Sequence, residues 1–337
     1  MDPLSQAVIG AGVAHAFFGR KLPIMAAVIG AAAGMSPDLD IFIPTGDDPT
    51  AEWVWHRGPT HSFAWWPVGG LLAALPFLLF ERMRKQWKVV VGAATVGVAT
   101  HAPLDALTSY GTQMLWPFAD KRIALDWMPI IDPVWTLTFV LLMVIAVWRK
   151  STGLSRVAVG LALAYIGFGA FQHGRAMSAL KDVAMTRGHS SFEDARATPS
   201  PGALAVWHGI YKFDGDLHVV GLRTGYLSGV TYNVGEAKPL VTPEDLGLAH
   251  GSEAWHHFEV FRWFSQDSLY RPDPGGQPSV VADGRYSSEA DEHVPLWGLD
   301  FAGGDAARAR IPLRMRAESL LRLTFSHDPE WTPVPND

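Results

Sequence analysis

The amino-acid sequence predicts an all-α polytopic membrane domain of about six helices, the first two short, over residues 1–175. A smaller β-rich extramembrane domain follows over residues 176–337. Three observations predict this. Apolar runs separated by short charged loops fill the first half, basic residues concentrate in alternate loops of that half, and beyond residue 175 short alternating runs appear with turn residues between them. Charged residues make up 18% of the 337, below the roughly 25% usual for soluble domains. The net charge of -6 lacks the basic excess of a nucleic-acid binder, so no nucleic-acid partner is expected. Cysteine is absent, so any metal has to be held by His and carboxylates.

In chain order, helices are expected at Leu4–Gly19, Leu22–Met35, Phe63–Phe80, Val89–Leu107, Pro133–Trp148 and Val157–Phe171. A bilayer crossing takes about 20 residues, within roughly 17–25. The third and fourth runs meet that length. The fifth meets it only if counted back to about Trp127, and the first two fall short. No basic residue precedes the first apolar run and Asp2 is acidic, so no signal peptide is expected. Arg20 and Lys21 follow the first run, Arg82, Arg84, Lys85 and Lys88 the third, and Arg149, Lys150 and Arg156 the fifth. The alternate loops carry Asp38, Asp40, Asp47, Asp48, Glu52, Asp120, Asp126 and Asp132. By the positive-inside rule the basic loops are cytoplasmic and the acidic ones outside, where Trp53, Trp55, Trp65, Trp66, Trp116, Trp127 and Trp135 form an interfacial belt. Strands are expected at Ala205–Phe213, Leu217–Leu222, Phe258–Phe264 and Ser279–Tyr286, with turns at Asp214-Gly215 and over Pro272–Gly276. After an even number of crossings this second domain falls on the outer side.

Four clusters carry chemistry. Asp38 and Asp40, in Pro37-Asp38-Leu39-Asp40, can converge on one cation or form a solvated acidic turn. In His56-Arg57-Gly58-Pro59-Thr60-His61-Ser62, Gly and Pro force a turn, and Thr60 or Ser62 can cap the helix that begins near Phe63. Its two imidazoles suit a divalent metal, and Arg57 suits an anionic substrate group. Interfacial histidines with a headgroup-binding arginine are the alternative. His101 and Asp105 stand at i and i+4 in an apolar helix, where they can grip one ion or form a His–carboxylate relay. Ionisable groups in a membrane segment are costly and usually functional. Asp126 and Asp132 form the fourth cluster, and Asp132, before Pro133, is either a helix cap or a ligand.

The expected metal ligands are therefore Asp38, Asp40, His56, His61, His101 and Asp105, all at the outer membrane end. Arg57 and Asp132 are the expected catalytic side chains, and His15 lies toward the other end, outside the site. Three His and several carboxylates suit a divalent metal in one or two copies, Zn²⁺ first, with Mn²⁺ or Mg²⁺ as alternatives. Such a centre acidifies water and polarises phosphoryl or carbonyl oxygens. A transporter or sensor using the same ligands is the other class of reading.

Met1-Asp2-Pro3-Leu4-Ser5-Gln6, Pro37-Asp38-Leu39-Asp40, the His56–Ser62 run, Thr100-His101-Ala102-Pro103-Leu104-Asp105 and Thr108-Ser109-Tyr110-Gly111-Thr112-Gln113 together resemble a known set. It is that of the membrane-bound metal-dependent hydrolases of the domain-of-unknown-function 457 family, which includes proteins described as LexA-binding inner-membrane-associated hydrolases. The resemblance covers roughly residues 1–150. It implies a metal-dependent hydrolase of the inner membrane and nothing sharper. With the site read at the outer leaflet, the expectation is contact with membrane lipids and action on a phosphoester or phospholipid substrate, or on an amide as zinc ceramidases do. Many members carry Thr-His where this chain has Ser5-Gln6. A cytoplasmic LexA-type partner is not carried over, because the site is read as facing outward. An impermeant chelator added to cells with a permeabilised outer membrane is expected to abolish activity, and retained activity would contradict the outward topology.

Overall fold

The computed structural model describes residues 1–309, apart from Ala203, Leu227 and Pro274, together with 331–334. Pro274 of the expected turn and residues 310–330 and 335–337 of the expected second domain thus lie outside the described residues. The chain divides into two compact units, Met1–Pro44 with Val54–Gly169, and Thr45–Trp53 with the chain from Ala170 onward.

The helices are α1 (Pro3–Phe18), α2 (Met25–Met35), α3 (Ala51–Trp55), α4 (Trp66–Leu78), α5 (Glu81–Arg84), α6 (Trp87–Ala106), α7 (Pro133–Trp148) and α8 (Thr152–Thr186). Asp2 caps α1 by accepting the Ser5 N–H, with Pro3 in the first turn where its missing N–H costs nothing. Small residues then set how closely the first unit packs. A Cβ on Gly30 would fall 2.3 Å from the Gly10 carbonyl oxygen, and one on Gly97 would fall 2.6 Å from that of Gly30. Backbones of α1, α2 and α6 therefore touch directly, as small residues allow in membrane helices. Outward faces stay apolar: Leu137, Leu141 and Val144 of α7 are 60% or more exposed, which suits a lipid solvent.

Helix lengths differ from expectation in instructive ways. A 3₁₀ stretch, Ser36–Phe42, continues α2, so Met25–Phe42 becomes long and apolar enough to cross a membrane, as are Trp87–Ala106 and Thr152–Thr186. The third expected run, Phe63–Phe80, is not one helix. A 3₁₀ turn over Phe63–Trp65 precedes α4, which starts at the position Pro67 favours and ends before Phe80 turns extended. Neither Thr60 nor Ser62 caps it: Ser62 donates to the Pro59 carbonyl and Thr60 to Asp40. Asp132 starts α7 at Pro133, so that helix is not extended back to Trp127. The last helix runs unbroken through residue 175, to Thr186.

The second unit is rich in β-sheet. Its strands are β1 (Glu193–Pro199), β2 (Val206–Phe213), β3 (Asp216–Thr224), β4 (Val230–Val234), β5 (Lys238–Pro239), β6 (Leu269–Tyr270), β7 (Val280–Asp283), β8 (Gly298–Asp300), β9 (Ala307–Arg308) and β10 (Thr332–Pro333). One antiparallel sheet runs β1-β2-β3-β4-β10 with β5 also on β3, and another runs β6-β7-β8-β9. Ile210, Leu217 and Val219 of the first sheet pack with Tyr270 and Ala282 of the second. Leu180 and Val183, near the end of α8, cluster with Trp207, Tyr211, Val220 and Leu222. The expected strand at Phe258–Phe264 is instead part of a helix, α9 (Glu253–Ser265). Ser252 caps it through the Trp255 N–H, and Ala254, His257, Phe258, Phe261 and Phe264 are buried at helical spacing. Trp53 stacks on Phe261 and Phe264 at 4.5 and 5.1 Å, which is why Thr45–Trp53 belongs to this unit.

Candidate metal centre

Three elements of the first unit deliver side chains to one point. One turn of α6 places His101 above Asp105, the 3₁₀ stretch after α2 supplies Asp38, and the turn Pro59–His61 supplies His61. Each offers one ligand atom, and all four lie within 4.8 Å of one another. The two Nε2 atoms of His61 and His101 are 2.9 Å apart. Asp38 Oδ1 is 3.3 and 3.2 Å from them, and Asp105 Oδ2 is 3.4 and 3.5 Å. Four atoms each bonded at about 2.0–2.1 Å to one tetrahedral ion stand about 3.3–3.4 Å apart, close to these separations. His61, His101 and Asp105 are buried, and Asp38 is partly exposed.

Hydrogen bonds show which ring nitrogens face inward. His101 Nδ1 meets the Gly34 carbonyl and so must donate, which leaves the Nε2 lone pair toward the centre. His61 Nδ1 lies 3.0 Å from Thr60 Oγ1 and 3.4 Å from Asp40 Oδ2, which orients its Nε2 the same way. Two ring nitrogens 2.9 Å apart need a proton or a metal ion between them. Burial alone would push His61 toward its neutral form. Asp105, Asp38 and Asp40 around it outweigh that and raise its pKa to about 10. The carboxylates thus favour positive charge at this point, and Asp105 Oδ2, buried, faces it while also lying 3.1 Å from Arg57 Nε. These residues can hold a metal ion.

Asp40 organises the second turn. Its carboxylate accepts from His56 Nδ1 at 2.7 Å, from the Thr60 hydroxyl at 2.7 Å and from the Arg57 N–H at 3.3 Å. Arg57 thereby adopts a left-handed backbone, φ 62°, which costs a non-glycine residue about 1–2 kcal/mol. Its carbonyl accepts from the Gln113 N–H, so the strain is held from both sides. The guanidinium places Nε 3.1 Å from Asp105 Oδ2, donates to Thr108 at 3.2 Å and lies 4.6 Å from the Tyr110 ring centre. Asp105 Oδ1 accepts from the Gln6 amide at 2.8 Å and pairs with the Met1 amino group.

Of the six expected ligands, the structure brings Asp38, His61, His101 and Asp105 together. Asp40 and His56 stand beside them, bonded to each other. Arg57 lies against Asp105. Asp132 is the α7 cap, bonded to the Trp135 N–H and the Tyr165 hydroxyl and outside the four-residue group. His15 bonds Ser155 and the Pro23 carbonyl. Thr60 and Gln6 were not expected as supports. For Gln6, an amide in the first turns of a largely apolar helix was the available signal.

Residues that orient a ligating imidazole typically change metal affinity 10–100-fold when altered. Asp40→Asn is therefore expected to weaken metal binding by about that factor without removing it, whereas Asp105→Asn abolishes stoichiometric binding. Titration of detergent-purified protein with a competing chelator checks both.

Residues 1–176 match the profile of a family described as YdjM inner membrane protein. No curated protein and no solved structure matches the chain. The match spans the whole set of residues that build the centre and supports the inner-membrane location that the earlier resemblance implied. The chain belongs to the YdjM inner membrane protein family.

Proposed function

We propose that this protein is an integral-membrane metal-dependent hydrolase acting on a phosphoester or lipid-linked substrate at the outer leaflet. The observation that carries the proposal is the convergence of two imidazole nitrogens and two carboxylate oxygens, each imidazole nitrogen 2.9–3.5 Å from the other three atoms, in a family of inner-membrane proteins. Nitrogen and oxygen donors at such separations without thiolates suit Zn²⁺ best. A divalent ion held by Asp38, His61, His101 and Asp105 supplies Lewis acidity, polarising a phosphoryl or carbonyl oxygen and acidifying water.

The chain's own residues do the rest. Asp38, the partly exposed member, is the ligand that solvent and substrate can reach. Arg57 fixes Asp105 and adds positive charge beside the centre, which favours an anionic group on the substrate. Asp40 and Thr60 hold His61 in the ligating tautomer. The acidic loops next to these residues and the basic loops at alternate positions support an outward-facing site and a periplasmic second unit.

A structural or sensing ion is the second reading, favoured by the protein supplying four donors, as closed structural sites do. One experiment separates the two. Purified protein is loaded with Zn²⁺ and assayed against phosphomonoesters, phosphodiesters and a bacterial lipid extract, with products read by mass spectrometry. Hydrolysis that falls about 10²-fold or more in Asp38→Asn, and vanishes in His101→Ala/Asp105→Asn, is the expected result. Stoichiometric metal with no hydrolysis of any class would favour the structural ion.

A further inference from the structure

Beside the centre, and still within the first unit, α2 with its 3₁₀ continuation and α4 leave an apolar groove of about 550 Å³. Ala32, Leu39, Ile43, Leu72 and Phe77 wall it, and Asp40 and Thr60 close one end. Leu39 and Leu72 are 61% and 48% exposed, so the groove opens to its surroundings along its length. Gly69 keeps one wall thin: a Cβ there would fall 2.5 Å from the Trp65 indole nitrogen, which lies flat along α4. The polar end is not isolated. Asp40 and Thr60 are the two side chains that hold His61 Nδ1, so the groove ends one residue away from the proposed ion.

Size decides what can lie in it. From Trp66 to Phe77, α4 rises about 16 Å at 1.5 Å per residue. A hydrocarbon core about 30 Å thick gives each leaflet about 15 Å, close to the rise of this stretch of α4. An α-helix with its side chains is about 10 Å across. A single acyl chain is far narrower, and the volume falls within the roughly 300–1,000 Å³ of ligand pockets. Apolar walls give such a chain no advantage over bulk lipid, so discrimination has to come from the polar end.

We propose that this groove takes one acyl chain of a glycerophospholipid and presents that lipid's headgroup region to the centre. Resting on the hydrolase reading above, this names the substrate class as an acyl-chain-bearing membrane lipid, cleaved near its headgroup rather than within its chain. The Asp40 carboxylate accepts from a headgroup hydroxyl or ammonium at the polar end of the groove, and Arg57 with the ion stands beyond it for an anionic group.

The test uses the full chain in nanodiscs of phosphatidylethanolamine and phosphatidylglycerol. A trace of the same phospholipids carries a terminal diazirine in one acyl chain. After irradiation, labelled residues are mapped by mass spectrometry in wild type and in Ala32→Trp/Leu72→Trp, whose indoles fill the groove. Labelling concentrated on residues 32–43 and 65–77 is expected in wild type, falling at least about fivefold in the double variant while bound metal per chain is unchanged. Chelated wild type is expected to keep the label, since no metal ligand walls the groove, which separates failure of the groove from failure of the metal centre. Label spread evenly over the outward faces of α7 and α8, or undiminished in a folded double variant, would overturn the groove assignment. Label in the groove of a metal-loaded protein that leaves every phospholipid headgroup intact would overturn the substrate assignment.

Discussion

Two buried imidazole nitrogens 2.9 Å apart, each turned toward the other by its own hydrogen bond, are held by positive charge between them, a proton or a metal ion. Everything near it in the first unit is arranged around that requirement. Asp38 and Asp105 contribute negative oxygens at 3.2–3.5 Å, which makes the place hospitable to a cation. Buried charges persist where they are paired and hydrogen-bonded, and here the pairing converges on one point rather than dissolving into separate bridges.

The packing of α1, α2 and α6 follows from the same point. His101 reaches the Gly34 carbonyl on α2, and Gln6 of α1 reaches Asp105 on α6, so the three helices must approach closely for either contact to form. Gly10, Gly30, Gly34 and Gly97 permit that approach. Asp40 then ties the turn that carries His56, Arg57, Thr60 and His61 to the end of the α2 continuation, and the left-handed Arg57 is the strained residue this arrangement sustains. Local strain, close helix packing and a fixed imidazole tautomer are thus three expressions of one site.

Much of this was legible in the residues. Helical spacing put His101 and Asp105 on one face, and the paired aspartates and the His-rich turn could be placed at the same membrane end by charge alternation alone. Division of labour among them was not legible. Whether Asp40 or Asp38 faces the centre depends on how a seven-residue 3₁₀ stretch turns, and a spacing of i and i+2 does not determine that. The role of Gln6 depends on α1 crossing α6, a contact between residues about a hundred positions apart. In the second unit, alternation at Phe258–Phe264 imitates a strand. The cap at Ser252 and a burial pattern beginning at Ala254 mark the helix, and both lie outside the window that suggested the strand.

X-ray absorption at the metal edge of detergent-purified protein tests the central claim most directly. Four nitrogen or oxygen scatterers at about 2.0–2.1 Å are expected, with the outer-shell pattern of two imidazoles, reduced to one in His61→Ala or His101→Ala. A bound ion with no imidazole scattering, or a spectrum unchanged by those substitutions, would contradict it.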